Sequence, residues 1–407
     1  MRFLLTTFAW PSHYYPMVPL GWALRAAGHE VIVASAPSLV DAIITTGLPA
    51  VAVGKDVDIA GRARDGKLHD HQRWPTDPGR LSDVQQNLVR QMSHTMVDVA
   101  DAMTDDLVKF ARSWQPDLIV HESITFAAPV AAEVLGIPTV AHAVGMPLAP
   151  GMIVRKDRPA PSPAYVRLFE KFGVAPRTAP SAWIDPCPPS MRMPGETSAP
   201  RLSVRYVPYN APGAMPTWLV EPPTRPRVCI TWGTSTVGMI GDAVTGLLSQ
   251  AIEAVSSLGV DVVLTVSAAT RAALGTVPDG VRAAESLPLH MLLPSCRAIV
   301  HPGGVGTALT AGIYGVPQLA VTQFSDQMTI GDVFAASGAG HHLLQEETTV
   351  ERIRSHVVEL LDDPECRTAA KRLQREIASQ PAPAELVPKL VELAGRRASA
   401  RALAETL

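Results

Sequence analysis

The strongest constraint on the fold of this chain is a repeated alternation of apolar run, helical pattern and apolar run, in two separate series. The first series opens with RFLLTTF (2–8), a β-rich apolar run. Residues 16–27 then place Val18, Leu20, Trp22 and Leu24 at helical spacing, and Gly28 stands where a helix C-cap favours glycine. EVIVAS follows as a second strand. The pattern returns with DLIVH (117–121), a helical stretch over 124–135, Gly136 and IPTVAHA. Strand, helix, strand is the unit of a parallel sheet. The second series runs RVCITWG (227–233), a helix over 242–258, DVVLTV (261–266), RAIVH (297–301), a helix over 306–314, and PQLAVT. The predicted class is α/β: two doubly wound Rossmann-like domains facing each other across a cleft. The rest is less regular. Residues 55–95 are polar and read as a lid-like segment, and 145–205 are Pro-rich with some helix near 163–172. The Pro-heavy segment 206–226 has the composition of an interdomain linker. The tail from Ala384 puts Leu386, Val387, Leu390 and Leu393 on one helix face.

Length and composition agree with two cores. At 407 residues and 47% hydrophobic content, each half can bury one. A formal net charge of −3 without blocks of like charge argues against nucleic acid and anionic membranes as partners. No apolar run reaches the length of a membrane span. The N-terminus reads as a strand rather than a signal peptide. Cys187, Cys229, Cys296 and Cys366 form no CxxC pair, which favours free thiols and a cytoplasmic location.

In open parallel sheets, ligands bind beyond the carboxyl ends of the strands. The stretch CRAIVHPGGVGTALTAGIYGVPQ (296–318) is the most informative such place. His301 ends a strand, Gly303, Gly304 and Gly306 follow, and Thr307 opens a helix. Unpaired N–H groups and the dipole at a helix N-terminus attract anions, and glycines let a phosphate approach the backbone. A plain tight turn is the competing explanation of the glycines alone; an imidazole able to donate to the same oxygens favours the phosphate site. The Lys-Ser/Thr pair of a Walker loop is missing, and AWPSHYYPM, the first strand–helix turn, has no dinucleotide fingerprint.

With GVPQLAVTQFSDQ behind it, HPGGVGT resembles the nucleotide-sugar signature of family 1 glycosyltransferases, whose fold is the two-domain GT-B type. SHYYPMVPLGWALRAAGHEV, PDLIVHESITFAAPVAAEVLGIP, DPCPPS and RYVPYNAPG extend the resemblance over the chain. The nearest look-alikes are actinomycete enzymes that glycosylate antibiotic aglycones from dTDP-deoxysugars. The resemblance implies an acceptor-binding domain over 1–205, a linker over 206–226, a nucleotide-sugar domain over 227–383, and a C-terminal helix over 384–407 packing back on the first domain. It also implies residue roles. His301 contacts the diphosphate, and the backbone of Gly304, Gly306 and Thr307 holds other phosphate oxygens. Asp326 and Gln327 bind sugar hydroxyls. Thr234, in GTS, lies near the phosphate. Leu287 and Pro288, in ESLPLHMLL, offer backbone bonds and an apolar face to the base. Ile330 stands where many relatives have Asn. His13, after the first strand, matches the family's catalytic base, and Glu122 matches the position of the carboxylate that orients it, though Glu122 has an alternative as a partner of acceptor or loop backbone.

The activity implied by this resemblance is an inverting, metal-independent transfer of a deoxysugar from a dTDP-sugar (or UDP-sugar) to a hydrophobic polyketide or macrolide aglycone. No cofactor is implied. A homodimer and a cytochrome-like auxiliary protein stand as further partners that look-alikes suggest. A nucleotide-sugar epimerase and a non-catalytic donor-binding partner are the competing functions. Other features carry less. Asp56 and Asp58 mimic a metal-binding DxD but read as a solvated loop, and His69 and His71 lack a third ligand. Tyr14, Tyr15 and Trp74 are candidates for an acceptor pocket or for core and rim. His341 and His342 read as structural, at a late strand.

Overall fold

A computed structural model of the chain describes residues 1–62, 74–75, 80–145, 161–192, 197, 199–233, 235–240 and 243–405. His69, His71 and Thr234 lie outside the described residues.

Two parallel sheets carry the fold. The first holds β1 (Arg2–Thr6), β2 (Glu30–Ser35), β3 (Ala50–Ala52), β4 (Leu118–Glu122), β5 (Thr139–His142), β6 (Ala182–Asp185) and β7 (Arg201–Ser203), ordered β3-β2-β1-β4-β5-β6-β7. The second holds β8 (Arg227–Thr231), β9 (Asp261–Thr265), β10 (Val281–Ala283), β11 (Ala298–His301), β12 (Gln318–Thr322) and β13 (Gly340–Leu344), ordered β10-β9-β8-β11-β12-β13. The strand order therefore reverses once in each sheet by the same rule, between β1 and β4 and between β8 and β11. Phe3 pairs in register with both Val31 and Leu118, and Ile299 with both Cys229 and Gln318. Helices cover both faces, so the central strands β4 and β8 are buried along their whole length.

The helices that bear on the site are α1 (Pro11–Tyr14), α2 (Val18–Ala26), α3 (Asp83–Trp114), α4 (Ala127–Leu135), α5 (Ser235–Ile240), α6 (Ala243–Ser256), α7 (Val305–Tyr314), α8 (Ser325–Ala336), α9 (Val350–Asp362), α10 (Pro364–Ser379) and α11 (Pro383–Glu405). Residues alternate across β1: Phe3 and Leu5 pack with α2 and with Leu386, Val387 and Leu390 of α11, whereas Leu4 packs with Met103 and Leu107 of α3. The last helix of the chain thus belongs to the core of the first sheet.

Three sequence expectations change. The lid-like segment 55–95 runs into α3, a helix of 32 residues that begins at Asp83. Its start is a capping box: the Ser82 hydroxyl accepts from Gln85 N–H and the Gln85 side chain answers Ser82 N–H. Polar residues disguise its apolar stripe of Met96, Val99, Ala100, Met103, Leu107 and Ala111. The irregular stretch 145–205 contributes β6 and β7, strands too short and too close to prolines to stand out. His13, which the sequence places in the turn between the first strand and helix, sits in α1, a short helix of its own opened by Pro11.

Candidate functional site

Each sheet presents its switch point to the other. At the first, β1 feeds the turn that carries His13, and neighbouring β4 ends on Glu122. His13 Nδ1 lies 3.1 Å from Glu122 Oε1. The Phe8 ring, 4.7 Å away between centroids, packs against the imidazole and leaves its side chain 15% exposed, while Glu122 is fully buried.

A buried carboxylate needs partners, and Glu122 has four. Oε1 accepts from His13 and from Ser123 Oγ at 2.8 Å; Oε2 accepts from Ile124 N–H at 2.9 Å and Thr125 Oγ1 at 3.2 Å. Burial alone pushes this carboxyl up. The charge and hydrogen bond of His13, the Ser123 hydroxyl and the Ile124 N–H outweigh it and hold the group below the ordinary range. An ionised Glu122 fixes His13 as the tautomer protonated at Nδ1, which leaves Nε2 with a lone pair. Flanking histidines are different. His121 and His142 are buried, each aims Nδ1 at a backbone carbonyl, and burial pushes both down to about 4. They are neutral structural groups.

At the second switch point β11 ends on His301, and α7 starts after the glycines. Gly303 has φ +83°, and a Cβ there would lie 2.8 Å from Thr322 Cγ2. Gly304 is the N-cap of α7, and no side chain caps that end, so the first-turn N–H groups keep their positive face. Gly306 and Thr307 lie partly exposed in this turn. The imidazole of His301 serves the turn itself: Nδ1 accepts Gly303 N–H at 3.0 Å, and Nε2 donates to Gln318 Oε1 at 2.9 Å. Burial lowers the ring to about 4, so it is neutral. Gln318, which in the sequence is only one letter of a longer motif, continues the relay by donating to Ala308 O within α7 at 3.3 Å.

Asp326 and Gln327 open α8 but differ in availability. Gln327 is 3% exposed; its carbonyl accepts from Gln323 and Phe324 N–H, and its amide donates to Thr236 Oγ1 at 2.8 Å. Its side chain is committed to ordering this corner. Asp326 is partly exposed; burial holds its carboxyl above the ordinary range, against the N–H groups of Gln327 and its own backbone and the nearby His13. That last interaction joins the two halves of the cleft. Leu287 is buried and its carbonyl accepts from Thr265 Oγ1 at 3.0 Å. Pro288 lies against the linker, where a Cβ on Gly213 would come 2.6 Å from its Cδ.

Several contacts that no motif announced hold the domains together. Ser235 Oγ donates to Ser12 Oγ at 3.1 Å, one residue from His13. Gly145, after β5, lets α7 approach so closely that a Cβ would lie 2.4 Å from Leu309 Cδ1. In the linker, Asn210 accepts from His290 N–H at 3.0 Å and donates to Thr310 Oγ1 at 3.3 Å. Asp56 and Asp58 accept from the N–H groups of Ser38 and Gly61, as backbone caps do. Tyr14 is core: its hydroxyl pairs with Thr46 Oγ1 at 2.9 Å. Tyr15 and Trp22 both pack edge-on against Tyr209.

This geometry can bind an anion at one switch point and draw a proton at the other. Comparison with known proteins gives the chemistry a family. Residues 22–233 match the N-terminal domain model, and 249–393 the C-terminal domain model, of erythromycin biosynthesis protein CIII-like proteins. The chain is 40% identical to 10-deoxymethynolide desosaminyltransferase of Streptomyces venezuelae, covering 97% of this chain and 98% of that one. It is also 40% identical to aklavinone 7-beta-L-rhodosaminyltransferase of Streptomyces galilaeus, over 97% and 96% of the two chains. The solved structure of glycosyltransferase VinC in complex with dTDP superposes with a TM-score of 0.83 at 37% identity, covering 97% of this chain and all of that one. The chain belongs to the erythromycin biosynthesis protein CIII-like family and is a glycosyltransferase of the GT-B fold.

Proposed function

We propose that this enzyme transfers a deoxysugar from a dTDP-sugar to a hydroxyl of a hydrophobic polyketide or macrolide aglycone, in antibiotic biosynthesis, with inversion at the anomeric carbon. The desosaminyl- and rhodosaminyltransferase relatives support the substrate class, and the dTDP complex of VinC supports the nucleotide. The observation that carries the mechanism is the His13–Glu122 pair, poised across the cleft from Asp326.

In this reading His13 Nε2 takes the proton of the acceptor hydroxyl as its oxygen attacks the anomeric carbon. The bond from that carbon to the diphosphate oxygen breaks, and its electron pair leaves with dTDP. Glu122 holds the ring in the required tautomer and offsets the charge it gains. Negative charge building on the diphosphate meets the N–H groups of Gly304, Gly306 and Thr307 at the start of α7, in a turn that His301 and Gln318 keep in shape. These donors let the transfer run without a metal. Asp326 hydrogen-bonds the sugar hydroxyls. The cytoplasm is the matching compartment, since Cys187, Cys229, Cys296 and Cys366 are all free thiols.

Incubation with dTDP-deoxysugars and a panel of macrolide and aromatic polyketide aglycones tests this. Stoichiometric dTDP and a glycoside of inverted configuration are expected. A rearranged sugar with no acceptor consumed would mean an epimerase, and tight dTDP binding without any turnover would mean a non-catalytic partner.

A further inference from the structure

Away from the cleft, at the edge of the second sheet, two histidines and a glutamate converge. β13 is the edge strand and presents His341 to α9, which carries His356 and Glu359 one turn apart. His341 Nε2 lies 3.1 Å from Glu359 Oε2, and His356 Nδ1 lies 3.3 Å from the same oxygen. One ligand atom from each residue falls within 4.8 Å of the other two. The two imidazoles sit 4.7 Å apart between centroids, at 33°.

Hydrogen bonding accounts for only part of this arrangement. His341 Nε2 is buried and close to Glu359, yet it is not aligned with any acceptor. A buried ring nitrogen this close to a carboxylate oxygen, without a hydrogen bond to it, is placed to share a cation with it. In a tetrahedral zinc site, metal–ligand bonds of 2.0–2.2 Å put neighbouring ligand atoms ~3.3 Å apart. Two edges of the triangle here already have that length. The third edge, between the two imidazoles, is closed by small rotations of His341 and His356, whose side chains are 31% and 25% exposed. Three protein ligands leave a fourth tetrahedral position for a water. Besides Glu359, the carboxylate that His341 feels among the described residues is Asp363, and it is engaged in accepting Glu365 N–H at the start of α10.

We propose that His341, His356 and Glu359 form a binding site for one zinc-class divalent cation, clamping β13 to α9. Imidazole nitrogens select zinc, copper, nickel or cobalt over magnesium and calcium. The clamp sits behind the nucleotide-sugar site: the adjacent His342 lies against Thr322 at 2.7 Å and Asp332 of α8 at 2.8 Å. The cation therefore fixes the strand that buttresses the helix beginning at Ser325, which carries Asp326. It takes no part in sugar transfer.

Calorimetric titration of the untagged, chelator-treated full chain with ZnCl2 tests this, alongside MgCl2 and the visible spectrum with CoCl2. Expected are one zinc per chain with micromolar or tighter affinity, no magnesium binding, a tetrahedral cobalt spectrum and a raised melting temperature with zinc. Even outer-shell changes at metal sites cost ~10–100-fold in affinity, so His341→Ala and His356→Ala should each lose at least ~10-fold. Glu359→Gln, which preserves shape, should weaken zinc with no change in the zinc-free melting temperature. The proposal is overturned if zinc does not bind in the micromolar range, or if the three variants bind it as tightly as the natural chain.

Discussion

If His13 is the base proposed above, replacing Glu122 by Gln, a change of one heavy atom, should disable it. The two carboxylate oxygens face different kinds of donor. Oε2 accepts from Ile124 N–H, which has no alternative role, whereas Oε1 accepts from Ser123 Oγ and His13 Nδ1, both of which can reverse direction. The Gln carbonyl will therefore stay on the Ile124 side and the NH2 will turn to His13. A ring that accepts at Nδ1 carries its proton at Nε2, the atom that must receive the acceptor's proton. Restoring the working tautomer means leaving a buried donor unsatisfied, at ~1–3 kcal/mol, and the lost charge-assisted bond adds ~1.5–3 kcal/mol. At 1.36 kcal/mol per factor of ten, turnover should fall by roughly 10²–10⁴-fold. Single-turnover transfer to an aliphatic alcohol acceptor measures this, with dTDP affinity as the control that should not move. Turnover within about threefold of the natural enzyme, with the fold intact, would refute the tautomer argument. Stability offers an independent readout. Glu122 titrates below its ordinary value of 4.5, so its pairing stabilises the fold fully above that pH and the contribution is lost as pH falls through the lower folded value. The natural chain should exceed Glu122→Gln in stability at neutral pH, and the gap should close only below about 4.5.

Three further outcomes are expected from the same structure. Asp326→Ala should reduce transfer more than it reduces affinity for free dTDP, because its carboxylate lies near His13 and the proposed role is to bind sugar hydroxyls; equal losses in kinetics and calorimetry would give it a nucleotide or structural role. Gly303→Ala should weaken dTDP binding through a turn that tolerates no side chain, since φ is +83° and the new methyl would press on Thr322; unchanged calorimetric affinity would remove the turn from the site. Burial lowers His121, His142 and His301 from 6.5 to about 4, so the unfolded chain binds three protons that the folded chain refuses as pH drops through that window. Stability should fall by ~3 kcal/mol per histidine between pH 6.5 and 4, and His142→Gln should reduce the slope by one proton in pH-dependent urea unfolding.

Legibility in the sequence tracks where the local signals are strong. The central strands announce themselves because they are buried on both faces and carry short apolar runs, LIV in β4 and VCI in β8. Strands β6, β7 and β10 are short, and tertiary pairing rather than pattern creates them. The helix α3 is hidden by polar residues, although Ser82 and Gln85 spell its capping box. At the site, His13 follows β1 and Glu122 ends β4, but their pairing needs two strands 115 residues apart in sequence that neighbour only in space, as Phe3 and Leu118 register. The committed side chains of His301 and Gln327 are not legible, because a motif names a residue type without saying which of its atoms the fold consumes. The contacts of Ser12 with Ser235 and of Gly145 with Leu309 carry no local signal, since each depends on how two domains meet.

In the proposed mechanism His13 is the general base, and donor binding does not depend on its imidazole. The direct measurement is His13→Ala, assayed for transfer to an aliphatic alcohol acceptor across pH and for dTDP binding by calorimetry. Unchanged dTDP affinity, turnover lowered by roughly 10²–10⁴-fold, and disappearance of the acid limb of the pH–rate profile are predicted. Near-natural turnover with the acid limb intact would contradict the claim and move the base elsewhere, with Glu122 the next group to test.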